Sequence, residues 1–302
     1  MNLATEELKK KFGKNLIFKE NLSKYSWFNL GGSADVFFRP NSLSQLIEFL
    51  NAVKSEINNL HILGAGSNTL IRDSGIKGVV IKLGSKFSQL ELLEKDIIKV
   101  GAATLDKQVS EFAKNNGIGT MEFLSCIPGS IGGAVVMNSG CYGTDISKIL
   151  LSINVIDDKG CEKELKHEDI KFFYRGTNIP KNYIILSAKL KGIISSKLLI
   201  EKKQKELIER KKKSQPSQIK TGGSTFKNNN KKKAWILIKE SGCDKYSVGD
   251  AKISEKHCNF FINNGNAKAS DIEALIYKVK KEVKLRTGVN LELEIKIIGD
   301  EK

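Results

Sequence analysis

The chain is 302 residues long, 40% hydrophobic and 28% charged, which excludes a disordered chain and allows one large domain or two ordinary ones, each with a core. Lys and Arg number 50 against 34 Asp and Glu, a formal charge of +16. The lysines gather in "EKKQKELIERKKK" and "KNNNKKK" without interleaved aromatics, so they read as solvated faces of a basic enzyme with phosphorylated ligands rather than as a nucleic-acid surface. No apolar run approaches the roughly 18–20 residues that span a bilayer, and the charged start "MNLATEELKKKFGKN" is unlike a secretory signal. The expectation is a cytoplasmic protein with no membrane insertion.

From Ala34 to about Lys191, short strands with turn signals dominate: "ADVFFRP", "LHILGAG", "GVVIKLG", "DIIKVGA", "ILLSINVID" and "YIILSAKLK". Two helices interrupt them. "SLSQLIEFLNAVKSE" repeats apolar residues at Leu46, Ile47, Phe49, Leu50 and Val53, and "TLDKQVSEFAKNNG" sets Leu105, Val109, Phe112 and Ala113 on one face before a stop at Gly117. This half is an α+β layer structure. A lysine-rich helix follows over about Leu198 to Lys213 and breaks at "SQPSQIKTGGS", placing a domain boundary near Ile193 to Leu198. "SDIEALIYKVKKEVKLRTG" then predicts a helix with a Ser270/Glu273 capping box, an apolar stripe of Ile272, Leu275, Ile276, Val279 and Val283, and a stop at Gly288. "LELEIKIIG" alternates as a final strand.

Five widely spaced cysteines (Cys126, Cys141, Cys161, Cys243, Cys258) form no C-x-x-C pair and are expected as buried free thiols. His61, His167 and His257 are never four apart, so no metal site is expected. Two uncharged glycine segments stand out instead. "HILGAGSNTLIRDSG" lacks the third glycine of a dinucleotide fingerprint, with Thr69 in its place, and leaves Gly64, Gly66, Ser67 and Asn68 either as an anion-binding nest or as an ordinary hairpin turn. "IPGSIGGAVVMNSGCYG" either lays bare backbone along a flat ligand or forms a buried turn opening a small-residue helix. Together they suggest one extended cofactor.

The phrases "SWFNLGGSADVFF", "LGAGSNTLIRDSGIKGVVI", "MEFLSCIPGSIGGAVVMNSGCYG", "YRGT", "GGSTFKN", "SEKHCNFFIN" and "LELEIKIIG", in this order over Tyr25 to Gly299, resemble the UDP-N-acetylenolpyruvoylglucosamine reductases (MurB) of peptidoglycan synthesis. The resemblance implies an FAD-binding domain of the vanillyl-alcohol-oxidase (PCMH) type in two subdomains, residues 1–195 with a core at about 26–192. A C-terminal α+β substrate-binding domain over 196–302 completes the chain. Noncovalent FAD would lie along Gly64, Ala65, Gly66, Ser67 and Asn68, and along Pro128, Gly129, Ser130, Gly132, Gly133, Ala134 and Val135, with Asn138 and Gly140 added. The extra segment with which one branch of the family folds a tyrosine over substrate is missing, so the chain resembles the shorter branch.

The implied reaction takes hydride from NADPH to flavin N5 and on to C3 of the enolpyruvyl group of a UDP-sugar, with protonation at C2. The resemblance assigns Arg175 as the cation at the carboxylate, Ser224 as the proton donor helped by Lys220 and Lys227, and Glu294 rather than Glu292 as its aid. Tyr174, Lys227 and Asn228 would touch substrate, although Asn229 replaces the family's usual proline. By spacing alone Arg175 is a strand-end arginine, Ser224 a turn serine and Glu294 a solvated carboxylate. Another FAD-linked oxidase or dehydrogenase of the same fold, and a basic nucleic-acid-binding protein, remain the rival readings; no protein partner is implied.

Overall fold

The computed structural model describes residues 2–53, 59–157, 159–229 and 232–301. The expected runs form the strands Ser33–Phe38, Leu60–Ile62, Ile76–Ile81, Ile97–Gly101, Leu150–Ile156 and Ile184–Lys191, joined by Leu16–Asn21 and Leu90–Glu94, which pattern reading passed over. The first helix runs Leu43–Ala52, where Ser42 Oγ accepts from the Gln45 N–H at 3.1 Å. Residues 54–56 of the expected "AVKSE" end, and residues 230–231 of "KNNNKKK", lie outside the described residues. Among the described residues no helix is long and apolar enough to cross a membrane.

The chain forms two compact units, residues 1–18, 36–65 and 78–211 in one, and 19–35, 66–77 and 212–302 in the other. This division differs from the boundary expected at 195/196. The helix Lys197–Ser214 belongs to the first unit as far as Lys211, because Ile200 is buried and Gln204 Nε2 donates to the carbonyl and hydroxyl of Ser110 at 3.0 and 2.8 Å.

The first unit has two cores. In one, an antiparallel sheet ordered Glu162–Lys166, Leu150–Ile156, Ile184–Lys191, Ile97–Gly101, Leu90–Glu94 shares its apolar layer with the helices Asp106–Asn115 and Ile131–Val136, whose Val109, Ala113, Ile131, Ala134 and Val135 are buried. Leu105, expected on the buried face, is the exposed residue ahead of that helix, since the helix begins only at Asp106. In the other core Phe38 and Phe49 stack at 3.9 Å between ring centroids, and Phe12 meets both edge-on.

In the second unit the sheet Lys220–Ser224, Phe260–Asn263, Ala251–Ile253, Ser247–Val248 packs with the helices Ala234–Glu240 and Ala269–Thr287. The predicted stripe from Ile272 to Val283 is buried, each side chain contributing about 1.5–3 kcal/mol, and Gly288 ends the helix at φ +72°. The start differs from expectation. The helix begins at Ala269, so Asp271 takes the third position and accepts from the Lys268 N–H at 2.9 Å, while Glu273 pairs with the Arg72 guanidinium at 3.0 Å. Asp73 supplies the cap, its carboxylate accepting from the N–H groups of Ala269 and Ser270 at 2.9 and 3.0 Å. "IRDSG" is thus a fastening for this helix. "LELEIKIIG" pairs as a strand only over Lys296–Ile298, parallel to Thr69–Ile71.

Replacing Asp73 by Ala is expected to lower the unfolding free energy by about 1 kcal/mol, the usual loss for a removed N-terminal cap. Urea unfolding checks this as a lower midpoint at unchanged slope; an unchanged midpoint would show that water replaces the carboxylate without cost.

Candidate active site

In the first unit Arg175 sits in a two-residue turn. Phe172–Phe173 and Gly176–Thr177 pair antiparallel, leaving Tyr174 and Arg175 at the tip, with Arg175 at φ +61°. A non-glycine residue in this left-handed region is costly and persists where its surroundings hold it. Here Arg175 Nη2 donates to the Gly140 carbonyl at 2.9 Å and the guanidinium lies 4.9 Å from the centre of the Tyr174 ring. Buried Asn138 fixes the same turn, its Nδ2 donating to the Phe173 carbonyl at 3.2 Å and its Oδ1 accepting from the Ser147 N–H at 3.0 Å. The side chain of Asn138, a residue expected along the cofactor, thus ties the Phe173 carbonyl, at the base of the Arg175 turn, to Ser147.

The segment around Ile127 to Gly143 opens the small-residue helix Ile131–Val136. Its glycines divide into two kinds. A Cβ on Gly129 would come 2.4 Å from Asp106 Oδ2, on Gly132 3.2 Å from the Ala102 Cβ, and on Gly140 2.3 Å from the Thr144 carbonyl oxygen, so close packing already explains them. Gly133 is different: the nearest atom is Ser130 Oγ at 3.8 Å, and the glycine is exposed beside exposed Pro128 and Val136. Ala134 and Val135 are buried, so only their backbone is available to a ligand. A Cβ on Gly64 would meet Ser130 Oγ at 2.9 Å, bringing half-buried Gly64 and Ala65 to this face. Lys82 Nζ donates to the Gly64 carbonyl. Burial, with the charge of Arg39 adding to it, pushes Lys82 down to about 8. The first unit therefore presents an uncharged backbone face with the half-buried Lys82 ammonium held at its Gly64 carbonyl.

The "GAGSN" loop is no hairpin. Leu60–Ile62 pairs with Ile76–Ile81, whereas Thr69–Ile71 pairs with Lys296–Ile298. Gly66 belongs to the second unit, where a Cβ would fall 1.8 Å from the Tyr25 carbonyl oxygen and its own carbonyl accepts from the Trp27 N–H at 3.1 Å. Half-buried Ser67 comes next. Asn68 Nδ2 donates to the Glu294 carbonyl at 3.0 Å, and the Asn68 carbonyl accepts from the Lys296 N–H at 2.8 Å.

The Glu294 N–H in turn donates to the Thr225 carbonyl at 2.9 Å, so Glu294 is fastened beside the residue after Ser224. Glu294 is half-buried while Glu292 is exposed, which separates two carboxylates that strand alternation had made equivalent. Ser224 ends Lys220–Ser224 opposite Phe260 after a register shift, with Gly223 at φ +79°. Asn259 fixes the next two residues of the chain: its carbonyl accepts from the Thr225 N–H at 2.7 Å, and its side chain exchanges two hydrogen bonds with the Phe226 backbone. Lys227 Nζ lies 3.8 Å from Glu292, and exposed Lys220 pairs opposite Asn263, so neither lysine has its expected place at Ser224 established by a contact. Asn228 Oδ1 accepts from the Ala234 N–H at 3.0 Å, and Asn229, at the proline position, accepts from the Lys232 N–H at 2.6 Å. Sequence reading passed over the clamping by Asn259 and Asn68; the short polar residues in "SEKHCNFFIN" and "GAGSN" were its only signal.

The chain matches two families: residues 215–298 the one described as UDP-N-acetylenolpyruvoylglucosamine reductase, C-terminal domain, and residues 34–166 the FAD binding domain. It is 46% identical over 302 residues to the UDP-N-acetylenolpyruvoylglucosamine reductase of Pelagibacter ubique (strain HTCC1062), covering 98% of this chain and 100% of that one. Against that of Rickettsia conorii (strain ATCC VR-613 / Malish 7) the identity is 43% over 279 residues, 92% of this chain and 94% of the relative. The solved structure of the MurB from Thermus caldophilus superposes with a TM-score of 0.80 at 30% identity, covering 93% of this chain and 97% of that one.

Behind Gly129, burial pushes the Asp106 carboxyl well above the usual aspartate range, with the Gly129 backbone opposing only in part. The folded protein thus binds this proton more tightly than the unfolded chain, so this group's contribution to stability declines as pH rises from the ordinary aspartate range through the raised one. Asp106→Asn is expected to flatten that decline, gaining on the wild type as pH rises above the ordinary aspartate range. Urea midpoints across this range check it, and parallel profiles for the two proteins would remove Asp106 as the cause.

Proposed function

This chain belongs to the UDP-N-acetylenolpyruvoylglucosamine reductase family, and on that premise we propose how its own residues carry the reaction. It is an FAD-containing oxidoreductase that reduces UDP-N-acetylglucosamine enolpyruvate to UDP-N-acetylmuramate; the relatives at 46% and 43% identity are UDP-N-acetylenolpyruvoylglucosamine reductases by name, and residues 34–166 match the FAD binding domain. NADPH is the proposed electron donor, and the excess of positive charge favours phosphorylated substrates of this kind.

The first unit's open backbone face fits FAD: Gly133 leaves space where a side chain would intrude, Pro128 and Val136 add no charge, and Lys82 brings an ammonium to Gly64. Bound there, FAD supplies the relay of a hydride from the nicotinamide to C3 of the enolpyruvyl group. Arg175 grips the substrate carboxylate with its planar fork as enolate charge develops, its orientation set in advance by the Gly140 carbonyl and the Tyr174 ring. Ser224 delivers the proton to C2. A serine hydroxyl is a weak acid, so Glu294 orients it; the observation carrying this pairing is the backbone bond from the Glu294 N–H to the Thr225 carbonyl. Tyr174, Lys227 and Asn228 are the proposed substrate contacts.

Two glycine variants separate cradle from packing. Gly133→Val is expected to fold with near-wild-type circular dichroism yet retain less FAD, since the added side chain enters open space. Gly66→Val is expected to unfold the protein, its Cβ falling on the Tyr25 carbonyl. Full flavin retention by folded Gly133→Val would refute the proposed cradle.

Stopped-flow measurement of the two half-reactions tests the roles. Ser224→Ala and Glu294→Gln should leave flavin bleaching by NADPH near the wild-type rate and slow reoxidation by the enolpyruvyl substrate by roughly 10²–10⁴-fold. Arg175→Met should slow the same step, and Arg175→Lys should restore it only in part because a point charge lacks the fork. Loss of bleaching with normal reoxidation in a Ser224 or Glu294 variant would reverse the assignment.

A further inference from the structure

Two cysteines bound the uncharged segment. Cys126 ends the single turn Glu122–Cys126, Cys141 ends the strand Gly140–Cys141, and residues 127–140 between them carry no charge. Cys141 Sγ lies 3.5 Å from the Phe123 carbonyl oxygen, one 3-10 turn before Cys126, and the two thiols interact directly. Cys126 Sγ is 3.7 Å from Ser125 Oγ, and Lys211 Nζ donates to the Cys126 carbonyl at 2.8 Å.

The pair is asymmetric. The Ser125 hydroxyl and the Lys211 ammonium both stand at Cys126 and favour its thiolate, whereas the Cys141 thiol points at the Phe123 carbonyl oxygen, which favours the protonated form. That is the division of labour between an attacking thiolate and a resolving thiol.

We propose that Cys126 and Cys141 are a redox-modification site, forming a reversible disulfide that closes residues 127–140 into a ring. The oxidant is hydrogen peroxide, small enough to reach a buried and a half-buried sulfur. The Cys126 thiolate attacks one peroxide oxygen and breaks the O–O bond; that oxygen stays as a sulfenic acid and the other leaves as hydroxide, which is protonated to water. Cys141 sulfur then forms the S–S bond, displacing the sulfenic oxygen as a second water, so two thiols are oxidised and one peroxide is reduced. A thiol reductant reverses the bond by exchange.

The bond has a route to the reaction. The Gly140 carbonyl, beside Cys141, is the acceptor that orients Arg175, and the two residues share one short antiparallel ladder, Gly140 opposite Asp145 and Cys141 opposite Thr144, so a shift of one is passed to the other. Drawing Cys141 to disulfide distance therefore displaces the Arg175 acceptor; this consequence rests on the role proposed for Arg175.

The test treats the full-length, FAD-loaded protein with hydrogen peroxide, then alkylates with iodoacetamide and digests with trypsin. No Lys or Arg lies between residues 115 and 147, so both cysteines fall in one peptide, 115–148, apart from exposed Cys161. The expected peptide takes up no alkyl group, is lighter by two hydrogens, and recovers both thiols with dithiothreitol; Cys141→Ser should instead leave a sulfenic acid at Cys126 that dimedone traps. Both thiols alkylating as in untreated protein, while Cys161 is oxidised, would overturn the site. In the stopped flow, the oxidised enzyme should lose substrate-driven flavin reoxidation and regain it with dithiothreitol, with Cys141→Ser insensitive to peroxide. A disulfide that forms with that step unchanged overturns the link to Arg175, whose own role Arg175→Met reads separately.

Discussion

The backbone of Glu294 is held from both sides, its N–H by the Thr225 carbonyl and its own carbonyl by the Asn68 amide, and the second unit's share of the proposed chemistry depends on that double fastening. A carboxylate and a hydroxyl on flexible loops would spend conformational entropy whenever they met a substrate. Here the residues bearing them start from a hydrogen-bonded bridge, continued as parallel pairing of Lys296–Ile298 with Thr69–Ile71. Asn259 extends the same device one residue further along the Ser224 strand by taking both backbone groups of Phe226. Short amide side chains suit this work, since each offers a donor and an acceptor in fixed relation.

The first unit solves the matching problem for a cation. A guanidinium at a two-residue turn would sample many directions, but Asn138 and Gly140 hold the turn and the head group separately. The left-handed backbone of Arg175 is a local cost offset by those contacts. The bond to Gly140 and the contact with the Tyr174 ring give the Arg175 head group a set direction, a useful property in a group proposed to meet charge as it develops.

Ionisable groups inside the first unit sit under the glycine face rather than on it. Lys82 is held low and the Asp106 carboxyl high, both chiefly by burial. Burial thus favours the neutral carboxyl at Asp106, while Lys82, at about 8, is still the ammonium that meets the Gly64 carbonyl at neutral pH.

Pattern alone marked six strands from Ser33–Phe38 to Ile184–Lys191, the stripe of the helix Ala269–Thr287 and its Gly288 stop, because apolar periodicity and left-handed turns are local properties of the chain. The ordered phrases from "SWFNLGGSADVFF" to "LELEIKIIG" also carried the family, and with it the candidates Arg175, Ser224 and Glu294. Pattern could not give the purpose of individual polar residues. Strand alternation left Glu292 and Glu294 equivalent, and only the folded structure leaves Glu294 half-buried and Glu292 exposed. Likewise Ser270 and Glu273 had the spacing of a cap, but Asp73, nearly two hundred residues away, took the helix end and Arg72 took Glu273. Most glycines of the two segments have packing reasons supplied by Asp106, Ala102, Thr144 and Tyr25, and of the glycines in the Ile131–Val136 helix it is Gly133 that faces open space at its missing side chain. These were decided by tertiary structure, since hydrogen bonds and close approaches join residues whose sequence separation carries no period for a pattern to detect.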